Sequence, residues 1–177
     1  MFTIQTERLS LCALNLDQVM LLAKDRNAFE RAEGLTESNF ELNADVSFMQ
    51  EFEMAMRDFV APKMVQFPND YQWYTHWVII ENNTKLSIGG IGCSGLPDEN
   101  GRTMIGYFID KKSEGKGYAS EATTAYCKWL FKNQKLKSVY ADTPLNNIGS
   151  QKVLQHAGFL LEGPCEDGLR WTLRSKS

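Results

Sequence analysis

The 177-residue chain has only two histidines, four cysteines and five prolines, and no long apolar run. Cys12, Cys93, Cys127 and Cys165 stand far apart, with no Cys-x-x-Cys and no histidine at ligand spacing. Neither a disulfide framework nor a metal site is therefore expected. No apolar stretch approaches the ~20 residues that span a bilayer. The first residues lack the basic and then apolar pattern of a secretion signal. A cytoplasmic protein with no membrane partner is expected. The formal net charge is −3, from 19 Lys and Arg against 22 Asp and Glu, so no nucleic-acid partner is expected either. There is no Gly-x4-Gly-Lys-Ser/Thr, and the Gly-x-Gly-x-x-Gly at residues 90–95 begins inside a predicted strand and opens no helix, which disfavours a P-loop or dinucleotide-binding protein. No repeat or low-complexity linker divides the chain. One domain over residues 1–177, large enough for a full core, is expected.

The apolar periodicity supplies an element order. Residues 6–14 alternate, with Leu9, Leu11 and Ala13 on one face, and predict a strand. Residues 17–31 read as a first helix, ended by Gly34. Ser47-Phe48-Met49-Gln50 resembles a capping box. Beyond it Phe48, Phe52, Ala55, Met56 and Phe59 recur at helical spacing, which predicts a second helix stopping before Pro62 with these residues in the core. Strands are predicted at 74–81, 85–93 and 102–110. A helix (118–131), a strand (137–143), a helix (150–156) and two strands (159–162, 169–174) follow. The order β-α-α-β-β-β-α-β-α-β-β predicts an α/β fold with a mixed central sheet and helices on both faces.

Two stretches carry chemistry. Residues 112–122, Lys-Ser-Glu-Gly-Lys-Gly-Tyr-Ala-Ser-Glu-Ala, place Gly115 and Gly117 between a strand and a helix. A glycine turn that opens a helix offers free N–H groups and the positive end of the helix dipole to a phosphate. After the next strand, Asn147, Ser150, Gly158 and Phe159 fall in the pattern Asn-x-x-Ser-x7-Gly-Phe.

On these residues the chain resembles the GNAT acyltransferases, and among them the branch that acetylates ribosomal-protein amino termini. The family's acyl-CoA signature, Gln/Arg-x-x-Gly-x-Gly/Ala, reads here Lys112-Ser113-Glu114-Gly115-Lys116-Gly117, with a lysine at the first place. The family's opening Thr-Glu-Arg-Leu is present as Thr6-Glu7-Arg8-Leu9. The resemblance is strong from about residue 77 to 163 and weak between about 30 and 75. It implies the GNAT fold and acetyl-CoA as cosubstrate, with no metal. Its cofactor site would comprise Lys112, Gly115, Lys116, Gly117, Tyr118 and Ala119, together with Phe108 and Ile109 at the end of a splayed strand, and Asn147. The reaction implied is direct attack of a primary amine, on a small molecule or a peptide amino terminus, on the thioester. Ser150 would serve the departing sulfur, with Asn147 beside it.

The sequence departs from the family at two places. A tyrosine common seven residues after the Asn is Leu154, and the Glu of Glu-Ile-Gly-Tyr is Met104. The base is left open among Glu81, His76, Asp142 and a water chain. These losses keep a second reading in play: an impaired GNAT-fold module that binds acyl-CoA or acts as a scaffold. Trp73 and Trp77, within the aromatic run Tyr71, Trp73, Tyr74 and Trp77, are expected to wall the acceptor pocket, with core or dimer packing as the competing reading. Glu30, Glu33, Glu51 and Glu53 would draw a cationic amine. A monomer or a homodimer is expected.

Overall fold

The computed structural model describes residues 2–44 and 47–176. Its strands are β1 (Phe2–Gln5), β2 (Leu9–Ala13), β3 (Trp77–Glu81), β4 (Leu86–Cys93), β5 (Arg102–Ile109), β6 (Ser138–Thr143), β7 (Leu160–Cys165) and β8 (Gly168–Arg174). Its helices are α1 (Leu16–Lys24), α2 (Arg26–Ala32), α3 (Ser47–Ala55), α4 (Ala61–Gln66), α5 (Tyr118–Leu130) and α6 (Ile148–His156). The sheet runs β1-β2-β3-β4-β5-β6-β8-β7. Every neighbouring pair is antiparallel except β5 and β6, which are parallel. Helices cover both faces, as the element order predicts.

Alternation along the strands sorts two cores. One face sends Leu9, Leu11, Trp77, Ile79, Ile91 and Ile105 against Ala122, Tyr126 and Leu130 of α5 and Leu154 of α6. The other sends Val78 against Val19, Leu22, Phe29, Met56 and Met64 from the α1–α4 layer.

Four local expectations are corrected. The first helix is two: at Asp25 the backbone is extended (φ −159°, ψ 104°), and the Asp25 carboxylate caps α2 by accepting from Ala28 N. The second helix does not stop before Pro62. Met56–Val60 winds more widely, Ala61 N donates back to Met56 O, and Pro62, the second residue of α4, follows directly on that wide turn. Of the stripe expected in the core, Met56 is buried there, but the aromatics are not core. Phe48 and Phe59 are exposed, Phe52 is half-buried, and α3 buries no residue. β1 was not anticipated: its run Phe-Thr-Ile-Gln does alternate, but four residues give the period only two repeats. Ser47, the first residue of the suggested capping box, is already helical, and residues 45–46 lie outside those described.

The parallel pair at the centre positions the site. Its ladder holds only Arg102↔Ser138, Thr103↔Val139 and Met104↔Tyr140. β5 runs on to Ile109 and β6 to Thr143 without further pairing, so the sheet opens as a V toward the carboxyl ends of both strands. Asp110 N donates to Ile88 O, and Ser94 N to Met104 O, so the even residues of β5 turn their peptide groups to β4. By strand alternation Tyr107 and Ile109 turn theirs toward the opening.

Candidate active site

The glycine turn follows the carboxyl end of β5, at the mouth of the opening. Gly115 and Gly117 have φ of 72° and 82°, a left-handed conformation that glycine adopts without a Cβ penalty. Gly117 is the N-cap of α5, and no side chain caps that helix, so its first amides are left for a ligand. Lys112, Gly115, Lys116 and Gly117 are all exposed, and Tyr118 and Ala119 are half-buried behind them. These residues come together as the sequence suggests, and they fit a pyrophosphate.

Ile109 turns its peptide groups into the opening, but Phe108 does not, because it pairs with Gly90 of β4. Its ring goes to the opposite face, meeting Phe40 at 5.9 Å, Phe48 at 6.0 Å and Phe52 at 5.2 Å, all edge to face. Phe108 therefore spends its peptide groups on β4 and its ring on the α1–α4 face of the sheet. Tyr107, which sequence reasoning missed, takes its place in the opening. The strand period around Gly106 was the signal that could have found it.

Tyr107 also changes the reading of Ser150. Its hydroxyl donates to Ser150 O at 3.1 Å and lies 2.9 Å from Ser150 Oγ. Burial, only partly offset by the Ser150 bond, pushes the phenol up to about 12, so it stays protonated. Leu154, at the place of the family's helix phenol, is fully buried, and the phenol that meets α6 comes from β5. Asn147 is the N-cap of α6: its Oδ1 accepts from Ser150 N at 3.0 Å. That oxygen is committed to holding Ser150 in place.

None of the three side-chain candidates for a base is poised to act as one. The Thr84 hydroxyl and amide, together with Asn83 N, hold the Glu81 carboxyl below the usual range at the β3–β4 turn. Arg170 grips Asp142 with two bonds of 2.8 and 2.7 Å and lowers its carboxyl likewise. His76 is packed between Phe52 (4.9 Å) and Phe108 (5.7 Å), and its Nε2 is buried without a partner. Burial, helped by Arg26, lowers its imidazolium to about 3, too acidic to receive a proton from an ammonium.

That shift has a measurable consequence. The folded value lies below the unfolded one of ~6.5, so the unfolded chain binds the extra proton between them. The contribution of neutral His76 to stability is complete above about pH 6.5 and is lost as pH falls toward 3. In urea unfolding, His76→Phe should flatten the acid limb relative to the parent, by up to about 1.4 kcal/mol per pH unit. Parallel acid limbs would show that His76 is already charged in the fold.

Trp73 and Trp77 do not wall an acceptor pocket. Trp77 is fully buried and meets Tyr126 at 5.3 Å and Trp129 at 4.8 Å, and Trp73 packs on Trp129 at 5.2 Å. Odd positions of β3 face α5, on the sheet face away from α1–α4, which places Trp77 in the core, and Trp73, just before β3, packs into the same cluster. Glu30 is also withdrawn: it is buried and accepts from Ser38 N, Ser38 Oγ and Ser87 Oγ. Glu51 and Glu53 are exposed on α3. The face across from α5 instead presents Phe40, Phe48, Phe52 and Phe108, beside Met104, which is exposed in the place of the family's Glu.

A family model described as "Acetyltransferase (GNAT) domain" matches residues 25–160. The chain belongs to the GNAT acetyltransferase family. Among curated proteins it is 29% identical over 170 residues to the uncharacterised N-acetyltransferase p20 of Bacillus licheniformis, covering 94% of this chain and 87% of that protein. It is 31% identical over 108 residues to the uncharacterised N-acetyltransferase YjdG of Bacillus subtilis, covering 61% of this chain and 64%, just under two thirds, of YjdG. Among solved structures, the ribosomal-protein-S5-alanine acetyltransferase of Vibrio fischeri superposes with a TM-score of 0.70 at 19% identity, over 100% of this chain and 98% of the other. A RimL ribosomal L7/L12 alpha-N-protein acetyltransferase in complex with coenzyme A gives 0.69 at 15% identity, over 98% of both chains. Identities this low speak for the fold alone. Among the described residues no group of His, Cys, Asp and Glu could hold a metal, and no helix is long and apolar enough to cross a membrane.

Proposed function

We propose that this GNAT chain, acting as a single domain, transfers an acetyl group from acetyl-CoA to a primary amine, on a small molecule or a peptide amino terminus. The V between β5 and β6, ending at an uncapped helix start with two positive-φ glycines, is the observation that carries this reading. Acetyl-CoA would supply the thioester carbonyl. Gly115, Gly117, Tyr118 and Ala119 would take its pyrophosphate through backbone amides, with Lys112 and Lys116 adding charge. The peptide groups of Tyr107 and Ile109 would bond its amide arm as a neighbouring strand does. The amine nitrogen forms the new bond to carbon while the carbon–sulfur bond breaks. Ser150 Oγ gives its proton to the leaving sulfur and regains one from water, and the amine proton passes to water, since Glu81 and Asp142 are engaged elsewhere and His76 is too weak a base. The acceptor would approach across the Phe40, Phe48, Phe52 and Phe108 side.

The test is consumption of acetyl-CoA with a mixed panel of small amines and of peptides with free amino termini, beside calorimetric binding of CoA. Turnover with at least one amine is expected. Binding with no turnover on any acceptor would favour the non-catalytic module. Activity confined to hydroxyl or thiol acceptors would overturn the amine assignment.

A further inference from the structure

The opening Thr6-Glu7-Arg8-Leu9 has no part in the chemistry described so far, yet it lies against the cofactor turn. Thr6 sits between β1 and β2, where its hydroxyl accepts from Leu9 N at 2.9 Å and donates to Glu121 Oε1 at 2.6 Å. Arg8 N donates to the same oxygen at 3.0 Å, and Arg8 Nε donates to Glu121 Oε2 at 2.7 Å. Glu121 is in the first turn of α5. Held there, the guanidinium lies 4.5 Å from the Tyr118 ring centroid and donates through Nη1 to Lys116 O at 2.9 Å. Arg8 thus touches the residues on either side of Gly117, from more than a hundred residues away in the chain.

The bond to Lys116 O fixes an orientation. In a trans peptide the C=O and the following N–H point in opposite directions. With Lys116 O turned to Arg8, the N–H of Gly117 is turned away from it. The alternative is a flip of the Lys116–Gly117 peptide, which would aim the carbonyl oxygen at an incoming phosphate. Glycine at position 117 makes such a flip sterically cheap, since it accepts φ of either sign. A glycine turn suited to close approach therefore needs an outside restraint.

We propose that Arg8 is a positioning residue of the cofactor site: with Thr6 and Glu121 it holds the Lys116–Gly117 peptide so that its N–H faces the pyrophosphate. This rests on the acetyl-CoA reading. Partial burial disfavours the ionised form of Glu121, but the bonds from Thr6 and Arg8 outweigh it and keep its carboxyl below the usual range, so the anchor is charged at neutral pH.

Calorimetry with CoA tests the proposal, with thermal melting to verify folding. Arg8→Met keeps the stem and loses the donors, and it should weaken CoA binding by about tenfold, the scale of one charge-assisted hydrogen bond. Arg8→Lys keeps the charge but not the fork, and should recover only part of that loss. Glu121→Gln separates orientation from simple attraction. It removes a negative charge near the phosphates, which alone would tighten binding, whereas loss of the anchor weakens it severalfold. Where turnover is measurable, Arg8→Met should raise KM for acetyl-CoA with little change in kcat. Its kcat/KM for S-acetylpantetheine, which has no pyrophosphate, should match the parent's. Full affinity in Arg8→Lys, or tighter binding in Glu121→Gln, would overturn the positioning role while leaving the acetyl-CoA reading intact. No CoA binding by the folded parent would overturn both.

Discussion

Gly117→Asp should lower CoA affinity by roughly one to two orders of magnitude while the protein remains folded. Three effects add. At φ 82° any side chain is strained, by about 1 kcal/mol, and the turn relieves that strain by moving its amides. A carboxylate within ~6–8 Å of a pyrophosphate repels it by on the order of 1–2 kcal/mol at the intermediate dielectric of a surface cleft. A Cβ at this position would also lie 3.4 Å from Arg8 Nη2, so the new carboxylate competes with Lys116 O for the guanidinium. Gly117→Asn is the control. Asparagine tolerates the left-handed region and carries no charge, so it should lose only severalfold. Calorimetric titration with CoA reads both. Parent affinity in the aspartate variant would place the pyrophosphate somewhere other than this turn.

Ser150→Ala should reduce kcat by about tenfold to a thousandfold, the range for loss of a positioned proton donor when water can substitute. CoA affinity should stay near the parent's, because the hydroxyl serves the sulfur and not the phosphates. Tyr107 gives the experiment its resolving power. A phenol held protonated has one proton; when it turns from Ser150 O to Ser150 Oγ, 2.9 Å away, the serine's own proton is left free for the sulfur. Tyr107→Phe should then lower kcat by a smaller factor. The double variant should be no slower than Ser150→Ala, since both act through one hydroxyl. Losses that multiplied would assign the residues separate roles. A Ser150→Ala enzyme with the parent kcat would assign the serine to helix packing.

The legible parts of this chain were those where periodicity or a motif leaves one solution. The strand pattern of residues 102–109, the two glycines before Tyr118 and the Asn147–Ser150 spacing locate the V, the turn and the α6 start close to where they stand. What failed depends on which of two apolar environments a residue meets. Phe48 and Phe52 keep a helical period whether they enter a core or line a cleft, and only the lack of a layer outside α3 decides. Trp77 and Val78 are both buried on β3, and period 2 cannot say which neighbour faces α5. Pro62 was read as a stop because helix rules assume an α-winding, and the wide turn at Met56–Val60 removes the conflict. Arg8 and Tyr107 were invisible for a third reason. Their partners, Glu121 and Ser150, lie 113 and 43 residues away, and no local pattern encodes such a pair.

A strand edge with free peptide groups is ordinarily an aggregation hazard, and proteins blunt such edges with charge, proline or a covering element. Here the edge lies inside the sheet. Tyr107 and Ile109 face another strand of the same chain, anchored to theirs by three residue pairs at the closed end of the V. A second protein chain, with side chains on both faces, would have to displace the Tyr107–Ser150 contact to enter. A thin, unbranched arm would not. The same divergence that leaves hydrogen-bonding groups available therefore also filters what can use them, and lets the molecule carry an unfinished ladder without inviting its neighbours to complete it.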